Sequence, residues 1–368
     1  MKINVDISNA NMWGSGICIF ENEIISRIYE ANDDLELIGC TNFRRGIPKQ
    51  SLERFPFKVV YSYIPYKLVY NYYVPFSYES MMGESKLNLF CTYSLPKVRY
   101  KTPTIATIHD LILQKVGNEN KKVIEQYDKQ VRHAIKVADH IITVSNATKQ
   151  DLIECYNVNE NMVTVVYNGV DFDRFAMEIS DDRKKIVSLK YGLPSKFFLY
   201  FGAVRKHKNI ENMIKAYSIL PKHIRDEYKL VITKETSELQ EFVNRLKLGD
   251  YVIFTKYIDE EDKECLYQMA FATVFVSYYE GFGLPIIESM AAGTPVITSN
   301  TSSMPEVAGG AALLVNPYEV ESIEAAMKKL VENPDVYSHL VTLGEKNAKK
   351  FTWNSSADRV AGLIRKMI

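Results

Sequence analysis

One stretch constrains this chain more than any other: Glu280-Gly281-Phe282-Gly283-Leu284-Pro285-Ile286-Ile287-Glu288, followed by Ser289-Met290-Ala291-Ala292-Gly293-Thr294-Pro295-Val296-Ile297. Two carboxylates with seven residues between them flank a turn that carries two glycines. Pro285 stands where a helix would begin, because proline is tolerated at the first helical position. Gly281 and Gly283 allow close backbone approach, and the unpaired N–H groups at a helix start, with the helix dipole, favour a phosphate. Glu280 before the turn and Glu288 about one turn into the helix then reach opposite ends of a ligand held by its phosphates. A nucleotide sugar has that shape and charge.

The run resembles the signature of retaining glycosyltransferases of family 4, also called glycosyl transferases group 1, which have the GT-B fold. The similarity extends over nearly the whole chain and is strongest at residues 104–110, 163–171, 199–209 and 270–317, with the flavour of bacterial polysaccharide and O-antigen mannosyltransferases. In that family the second Glu bonds the nucleotide ribose and the first holds the donor sugar hydroxyls. The resemblance therefore implies these roles for Glu288 and Glu280, with the Phe282, Gly283 and Leu284 backbone orienting the sugar.

Composition sets outer limits. A chain of 368 residues with 46% hydrophobic content is long enough for two domains with separate cores. Its 45 basic and 45 acidic residues predict no broad nucleic-acid-binding field. Cys18, Cys40, Cys91, Cys155 and Cys265 lack paired or metal-ligand spacing, as expected of reduced thiols in a cytoplasmic protein. No apolar run reaches the length of a membrane span, so the expected location is cytoplasmic, with a peripheral contact on the inner membrane face as a further expectation.

Strand and helix patterns alternate from the start. Residues 2–7 read as a strand and 17–30 as a helix, joined by a turn containing Trp13-Gly14-Ser15-Gly16. By resemblance, Gly14 and Gly16 close over the donor diphosphate. Further strands are expected at residues 35–40, 57–61, 87–91 and 104–108. Between residues 55 and 82 the composition shifts to tyrosine: Tyr61, Tyr63, Tyr66, Tyr70, Tyr72, Tyr73 and Tyr78. Tyrosine joins an apolar body to a polar tip, which suits a sugar-binding wall or a membrane-facing surface, so Tyr66 and Tyr70 are acceptor-side candidates. The next strand ends in His109-Asp110, at the sheet edge where ligands of open α/β folds bind. His109 there can donate to a substrate hydroxyl, and Asp110 can orient the loop or touch the acceptor. Ser145 reads as a helix cap, and Asp171-Phe172-Asp173 as a linker turn rather than a metal motif.

The second half repeats the rhythm. The strand beginning at Phe197 ends at Gly202, and Arg205-Lys206-His207-Lys208-Asn209 follows before a helix expected to run to Leu220. Cations between a glycine and a helix start can neutralise a departing pyrophosphate. The resemblance assigns Lys208 to this role. His207 stands where many relatives have Arg, which leaves Arg205 or Lys206 as the second cation; Arg205 is preferred.

These readings predict an α/β protein of the GT-B class, two Rossmann-like domains facing across a deep cleft: residues 1–177 for the acceptor, 178–350 for the nucleotide sugar, and a helix at 351–368 crossing back to the first. The expected reaction moves a hexose from a nucleoside diphosphate, GDP-mannose before a UDP-sugar, to a saccharide or polyprenyl-diphosphate-linked acceptor with retention. His109, Glu280, Arg205 and Lys208 form the catalytic set; Gly14, Gly16, Gly202, Phe282, Gly283, Leu284 and Glu288 bind the donor. No metal or other cofactor is expected. The alternatives are a GT-B sugar-nucleotide 2-epimerase, which needs acid/base groups not identified here, or a catalytically inactive binding subunit. A dinucleotide-dependent dehydrogenase is disfavoured because the first turn lacks the full Gly-x-Gly-x-x-Gly pattern.

Overall fold

The computed structural model describes residues 1–9, 15–43, 55–117 and 120–368. The chain divides into two compact units, Met1–Gly169 with Trp353–Ile368, and Val170–Thr352.

The first unit is built on β1 (Lys2–Asp6), β2 (Glu36–Phe43), β3 (Val59–Pro65), β4 (Leu87–Phe90), β5 (Thr104–Ile108), β6 (His140–Thr143) and β7 (Val163–Val165). They form one sheet in the order β3-β2-β1-β4-β5-β6-β7, and every neighbouring pair is parallel. The order reverses at β1, where the chain moves from one side of the sheet to the other; crevices at such switch points, beyond the carboxyl ends of the strands, are where open α/β sheets bind ligands. β4 and β5 are buried at every position, as strands covered on both faces must be. The helix Gly16–Ala31 buries Phe20, Ile24 and Ile28 and packs on the final helix, Trp353–Met367. Trp353 meets Phe20 edge-on at 6.4 Å, and Arg365 pairs with Asp34.

The second unit carries β8 (Phe197–Tyr200), β9 (Lys229–Ile232), β10 (Val252–Phe254), β11 (Ala272–Phe275), β12 (Val296–Ser299) and β13 (Leu313–Val315), in the parallel order β10-β9-β8-β11-β12-β13. Here the order reverses at β8, so the crevice beyond β8 and β11 is the predicted ligand edge.

The structure adds detail to the sequence-based expectations. The division falls at Gly169/Val170, not at 177/178. The reason is a short helix, Phe172–Ala176, whose Phe175 packs on Tyr267 while Gln268 donates to the Phe175 and Met177 carbonyls. The helix expected to run to Leu220 spans Ile210–Ile219, and a 3-10 turn at Lys206–Lys208 precedes it across Asn209 in the left-handed conformation (φ 57°). β12 and β13 were not foreseen as strands, because the first is short and hidden behind the helix motif and the second spans only three residues.

Candidate functional site

The glycine turn leads into a helix at Leu284–Ala291, with Gly283 as its N-cap. Gly283 has φ +107°, and a Cβ there would lie 3.0 Å from Ile286 Cδ1, so the position excludes a side chain on both counts. Phe282 is buried edge-on against Phe351 at 5.7 Å, which leaves only its backbone to a ligand. The turn is held from the far side by two serines. Ser303 Oγ lies 2.9 Å from the Glu280 carbonyl and 2.8 Å from that of Phe282, and Ser302 Oγ donates to the Glu280 carbonyl at 2.6 Å. Ser302 accepts left-handed backbone (φ 54°) to do so. Nothing in the local sequence pattern assigns these two serines a role.

Glu280 meets Lys208 directly. The Lys208 ammonium donates to both carboxylate oxygens, at 2.7 and 2.8 Å, and lies 5.1 Å from the centre of the Phe275 ring at the end of β11. Both side chains are mostly buried. The basic loop is fastened by Asn209, whose amide donates to the Val276 carbonyl at 3.0 Å and the Pro317 carbonyl at 2.6 Å, and by the Tyr278 N–H donating to His207 O. Asn209 was visible only as the partner of Lys208 in a Lys-Asn pair. Arg205 is exposed at the mouth of the loop. Burial pulls the His207 imidazole down to about 4, a fall that nearby Lys208 and Arg205 reinforce and Glu280 opposes. His207 is therefore neutral near pH 7 and cannot serve as the second cation, which leaves Arg205 and Lys206. Gly202, at φ +152°, precedes this loop, and its N–H donates to Thr233 Oγ1 at 3.1 Å.

Glu288 is also committed. Its Oε1 accepts from Lys263 Nζ at 2.6 Å and its Oε2 from the Tyr267 hydroxyl at 2.9 Å. Lys263 begins the helix Lys263–Met269 and faces the Phe201 and Phe175 rings at 5.4 and 5.8 Å. Burial pulls the Lys263 ammonium down, but Glu288 and Glu260 outweigh it and leave its pKa raised. Nothing in the sequence around Lys263 signals this contact. Among the unit's predicted groups, then, the structure joins Lys208 to Glu280, while Glu288 has partners of its own.

In the first unit, His109 follows β5 and is buried. Its Nε2 lies 2.9 Å from the Cys91 carbonyl, and its ring meets Phe20 edge-on at 5.1 Å. A carbonyl only accepts, so Nε2 carries the proton and Nδ1 presents a lone pair. Burial holds the imidazole down to about 4, only partly offset by the Cys91 bond. The expected donor is thus an acceptor at neutral pH. Asp110 Oδ1 accepts from the Ile112 N–H at 3.0 Å, fixing the loop, while Tyr127 donates to the Asp110 carbonyl. Ser145 caps the helix Asn146–Tyr156, and Thr148 in that cap donates to the His109 carbonyl.

Tyr66 and Tyr70 do not form a surface wall. The turn of helix at Tyr66–Asn71 puts them on one face, stacked at 3.9 Å, and Tyr70 is a core side chain with 6% exposure. The exposed members of the cluster are Tyr63, Tyr72 and Tyr73, joined by Leu68 and Phe76. Gly14 lies outside the described residues. Gly16 opens the helix Gly16–Ala31 behind the Ser15 cap, and a methyl group there would meet no described atom within 4 Å. Among the described residues no cluster of His, Cys, Asp and Glu could hold a metal ion.

The family model for glycosyl transferases group 1 matches residues 181–350, and that for Glycosyltransferase Family 4 matches residues 84–174. The O-antigen chain mannosyltransferase RfbU of Salmonella typhimurium is 30% identical over 279 residues, covering 72% of each chain. The serotype-specific mannosyltransferase WbdA of Escherichia coli is 31% identical over 277 residues; the match takes in 72% of this chain but only about a third (34%) of that larger protein. Anabaena HepE, solved with UDP and glucose, superposes over the full length of both chains with a TM-score of 0.76 at 17% identity, which speaks for the fold alone. Two parallel Rossmann-like sheets and these matches together place the chain in the group 1, family 4 glycosyltransferases of the GT-B fold.

Proposed function

We propose that this protein transfers a hexose, mannose before other sugars, from a nucleoside diphosphate to a hydroxyl of a lipid-linked or growing surface polysaccharide, with retention of anomeric configuration. The donor favoured is GDP-mannose, with a UDP-sugar as the alternative. The observation that carries the reading is the buried Lys208–Glu280 pair at the carboxyl edge of the second sheet, held by Asn209 on one side and Ser302 and Ser303 on the other. The names of two relatives, an O-antigen chain mannosyltransferase and a serotype-specific mannosyltransferase, support mannose as the sugar and a polysaccharide chain as the acceptor.

In this reading Lys208 and Arg205 stabilise the charge that develops on the diphosphate as the bond from C1 to the phosphate oxygen breaks. The acceptor oxygen bonds to C1 on the face the diphosphate leaves, and a phosphate oxygen of the leaving group takes the acceptor proton. The products are the glycoside and the nucleoside diphosphate. Glu280, oriented by its pairing, accepts hydrogen bonds from sugar hydroxyls. No covalent enzyme intermediate and no metal is called for.

A peripheral contact with the membrane belongs to the same reading. Tyr63, Leu68, Tyr72, Tyr73 and Phe76 are all exposed, and no Asp or Glu occurs from Phe55 to Tyr78. Lys67 and Arg99 are exposed in and beside this segment. Aromatic side chains with cations and no opposing acids suit an anionic lipid surface. Among the described residues no helix is long and apolar enough to cross a membrane.

The test is a thermal-shift screen of GDP-, UDP-, ADP- and dTDP-sugars, since a ligand of the folded state raises the melting temperature with occupancy. NMR of the product from the best donor then reports its anomeric configuration. Stabilisation by none of the donors, or an inverted product, overturns the proposal.

A further inference from the structure

We propose that Tyr318, stacked on Tyr278, is a platform for a pyranose ring of the acceptor chain, beyond the sugar that takes up the new bond. The proposal rests on the reading above, in which the acceptor is a saccharide chain. It adds a binding surface in the second unit, apart from the Lys208–Glu280 and Lys263–Glu288 pairs.

The connection from β8 to β9 and the connection from β11 to β12 step in opposite directions along the sheet. Right-handed crossovers therefore put the helix Ile210–Ile219 and the helix Leu284–Ala291 on opposite faces. The helix Lys263–Met269 joins β10 to β11, steps the same way as the latter, and so shares its face with Glu288. Tyr278 belongs to the other face, since its hydroxyl accepts from Asn212 of the helix Ile210–Ile219 at 3.0 Å. In the donor reading the ribose lies at Glu288 and the transferred sugar at Glu280. The tyrosine pair is thus remote from the nucleoside end, while Tyr278 stands two residues before Glu280, at the sugar end.

The two rings lie 4.9 Å apart at 23°, and Tyr318 keeps 66% exposure, so one of its faces is covered by Tyr278 and the other is open. The backbone on both sides of the stack is pinned. The Tyr278 N–H donates to the His207 carbonyl, and the Tyr278 carbonyl accepts from Thr301 Oγ1 at 3.0 Å. The Tyr318 N–H donates to Asn316 Oδ1 at 3.1 Å, and the Pro317 carbonyl accepts from Asn209 and Asn212. A ring held in this way offers a large amphipathic face and loses little freedom when a ligand settles on it. A pyranose is its complement: the C–H groups of one sugar face meet the electron-rich ring, and the hydroxyls point outward to the rim. That rim is polar. Burial, then Tyr318 and Glu211, raise the Tyr278 hydroxyl above its usual range, so it stays protonated, and having accepted from Asn212 it keeps its O–H to donate. Glu211 and Glu319 are exposed beside the pair and can accept from sugar hydroxyls, whereas they repel the phosphates of a nucleic acid or an anionic lipid.

Saturation-transfer NMR on the intact chain, without nucleotide and with linear α-linked manno-oligosaccharides as probes, tests the platform. The expected result is transfer to the sugar ring protons of the longer probes, with affinity on the order of 3- to 10-fold weaker in Tyr318→Ala and largely kept in Tyr318→Trp. Tyr318 is exposed, so neither variant should lower the melting temperature by more than a degree or two, roughly. No transfer to any probe, or equal binding by Tyr318→Ala, overturns the proposal. Two other occupants show themselves in the same variant. A loss of affinity for GDP and UDP in place of the saccharide would give the ring to a nucleobase, and a dimer that falls apart on ultracentrifugation would give it to a second copy; either result overturns the proposal. Stabilisation by a nucleotide sugar without saccharide binding removes the platform and leaves the donor reading standing. Saccharide binding that depends on Tyr318, in a protein stabilised by no nucleotide sugar, does the reverse.

Discussion

Breaking the Lys208–Glu280 pair separates its structural from its chemical part. The ammonium lies 2.7 and 2.8 Å from the two carboxylate oxygens, and the side chains are 17% and 10% exposed. Removing one partner of a fully buried pair costs roughly 3–5 kcal/mol, chiefly because the other charge is left without compensation. The residual exposure admits water to the survivor, so about 2–3 kcal/mol is expected for Lys208→Met. At roughly 2–4 °C per kcal/mol for a unit of this size, the melting temperature should fall by about 4–12 °C. Glu280→Gln should lose less, since an amide oxygen still accepts from the ammonium. The double variant carries neither charge and should regain much of the loss, with a coupling of about 1–3 kcal/mol. Turnover should behave otherwise. A cation that stabilises a leaving diphosphate is worth roughly 10²- to 10³-fold in kcat, and removing Glu280 as well cannot restore it. Differential scanning calorimetry and steady-state release of nucleoside diphosphate, run on all four proteins, give the two cycles. Strictly additive stability losses would refute the pairing. Turnover of Lys208→Met within about threefold of the unaltered protein would refute the assignment of Lys208 to the reaction.

Other perturbations probe the rest of the site. Ser303→Ala removes the hydroxyl shared by the Glu280 and Phe282 carbonyls and should cost about 1–2 kcal/mol in stability, with roughly a 10-fold loss in turnover from a displaced turn; unchanged kinetics would show that the serine only packs. Gly283→Ala should cost about 1–2 kcal/mol, read by urea denaturation, because an L side chain at φ +107° is strained and meets Ile286. His109 is held near 4 in the fold against 6.5 as a free side chain, so the unfolded chain binds the extra proton between these values; stability is full above about pH 6.5 and falls by roughly 3 kcal/mol as the pH drops towards 4. A matching limb near pH 6–7 in kcat/KM would show instead that His109 titrates in the active protein. Replacing Tyr63, Tyr72, Tyr73 and Phe76 by Ser should reduce co-sedimentation with vesicles containing phosphatidylglycerol while leaving turnover on a soluble acceptor intact; unaltered sedimentation would rule out that surface.

The alternation of apolar runs and helical periodicity made two parallel α/β units legible, because buried parallel strands are continuous in hydrophobicity and need no partner-specific signal. Glu280, Gly283 and Glu288 stood out because a tight turn, a helix start and two carboxylates leave a dense local pattern. What escaped was set by contacts distant in sequence. Lys263 reaches Glu288 across 25 positions and Ser303 reaches Glu280 across 23, and neither residue type nor spacing hints at it. The tyrosine segment failed for a different reason. Its composition was unmistakable, but which rings face inward depends on the six-residue turn of helix that turns Tyr66 and Tyr70 to the same side, and so short a helix has no reliable periodicity. His109 was placed correctly at a strand end, yet its proton position followed only from the Cys91 carbonyl beside it.

Both acids of the turn are paired with lysines, and this bears on how the site meets a charged donor. Lone cations at the crevice would bind a diphosphate tightly before and after reaction alike, which lowers KM without speeding the chemical step. Lys208 instead spends two of its three N–H donors on Glu280 and rests against the Phe275 ring, so its position is set before any donor arrives. In the proposed reaction, partial cancellation by Glu280 would weaken the hold of Lys208 on the intact donor, whose charge is shared with the sugar bond. As that bond breaks, negative charge would concentrate on the diphosphate, and the remaining N–H of Lys208 would gain most at that moment. Arg205, exposed in the same loop, would supply the longer-range attraction. Neutralising Arg205 should therefore raise KM and flatten its dependence on salt, whereas the loss in Lys208 variants should appear in kcat at every salt concentration. The opposite split would assign the two cations the reverse roles.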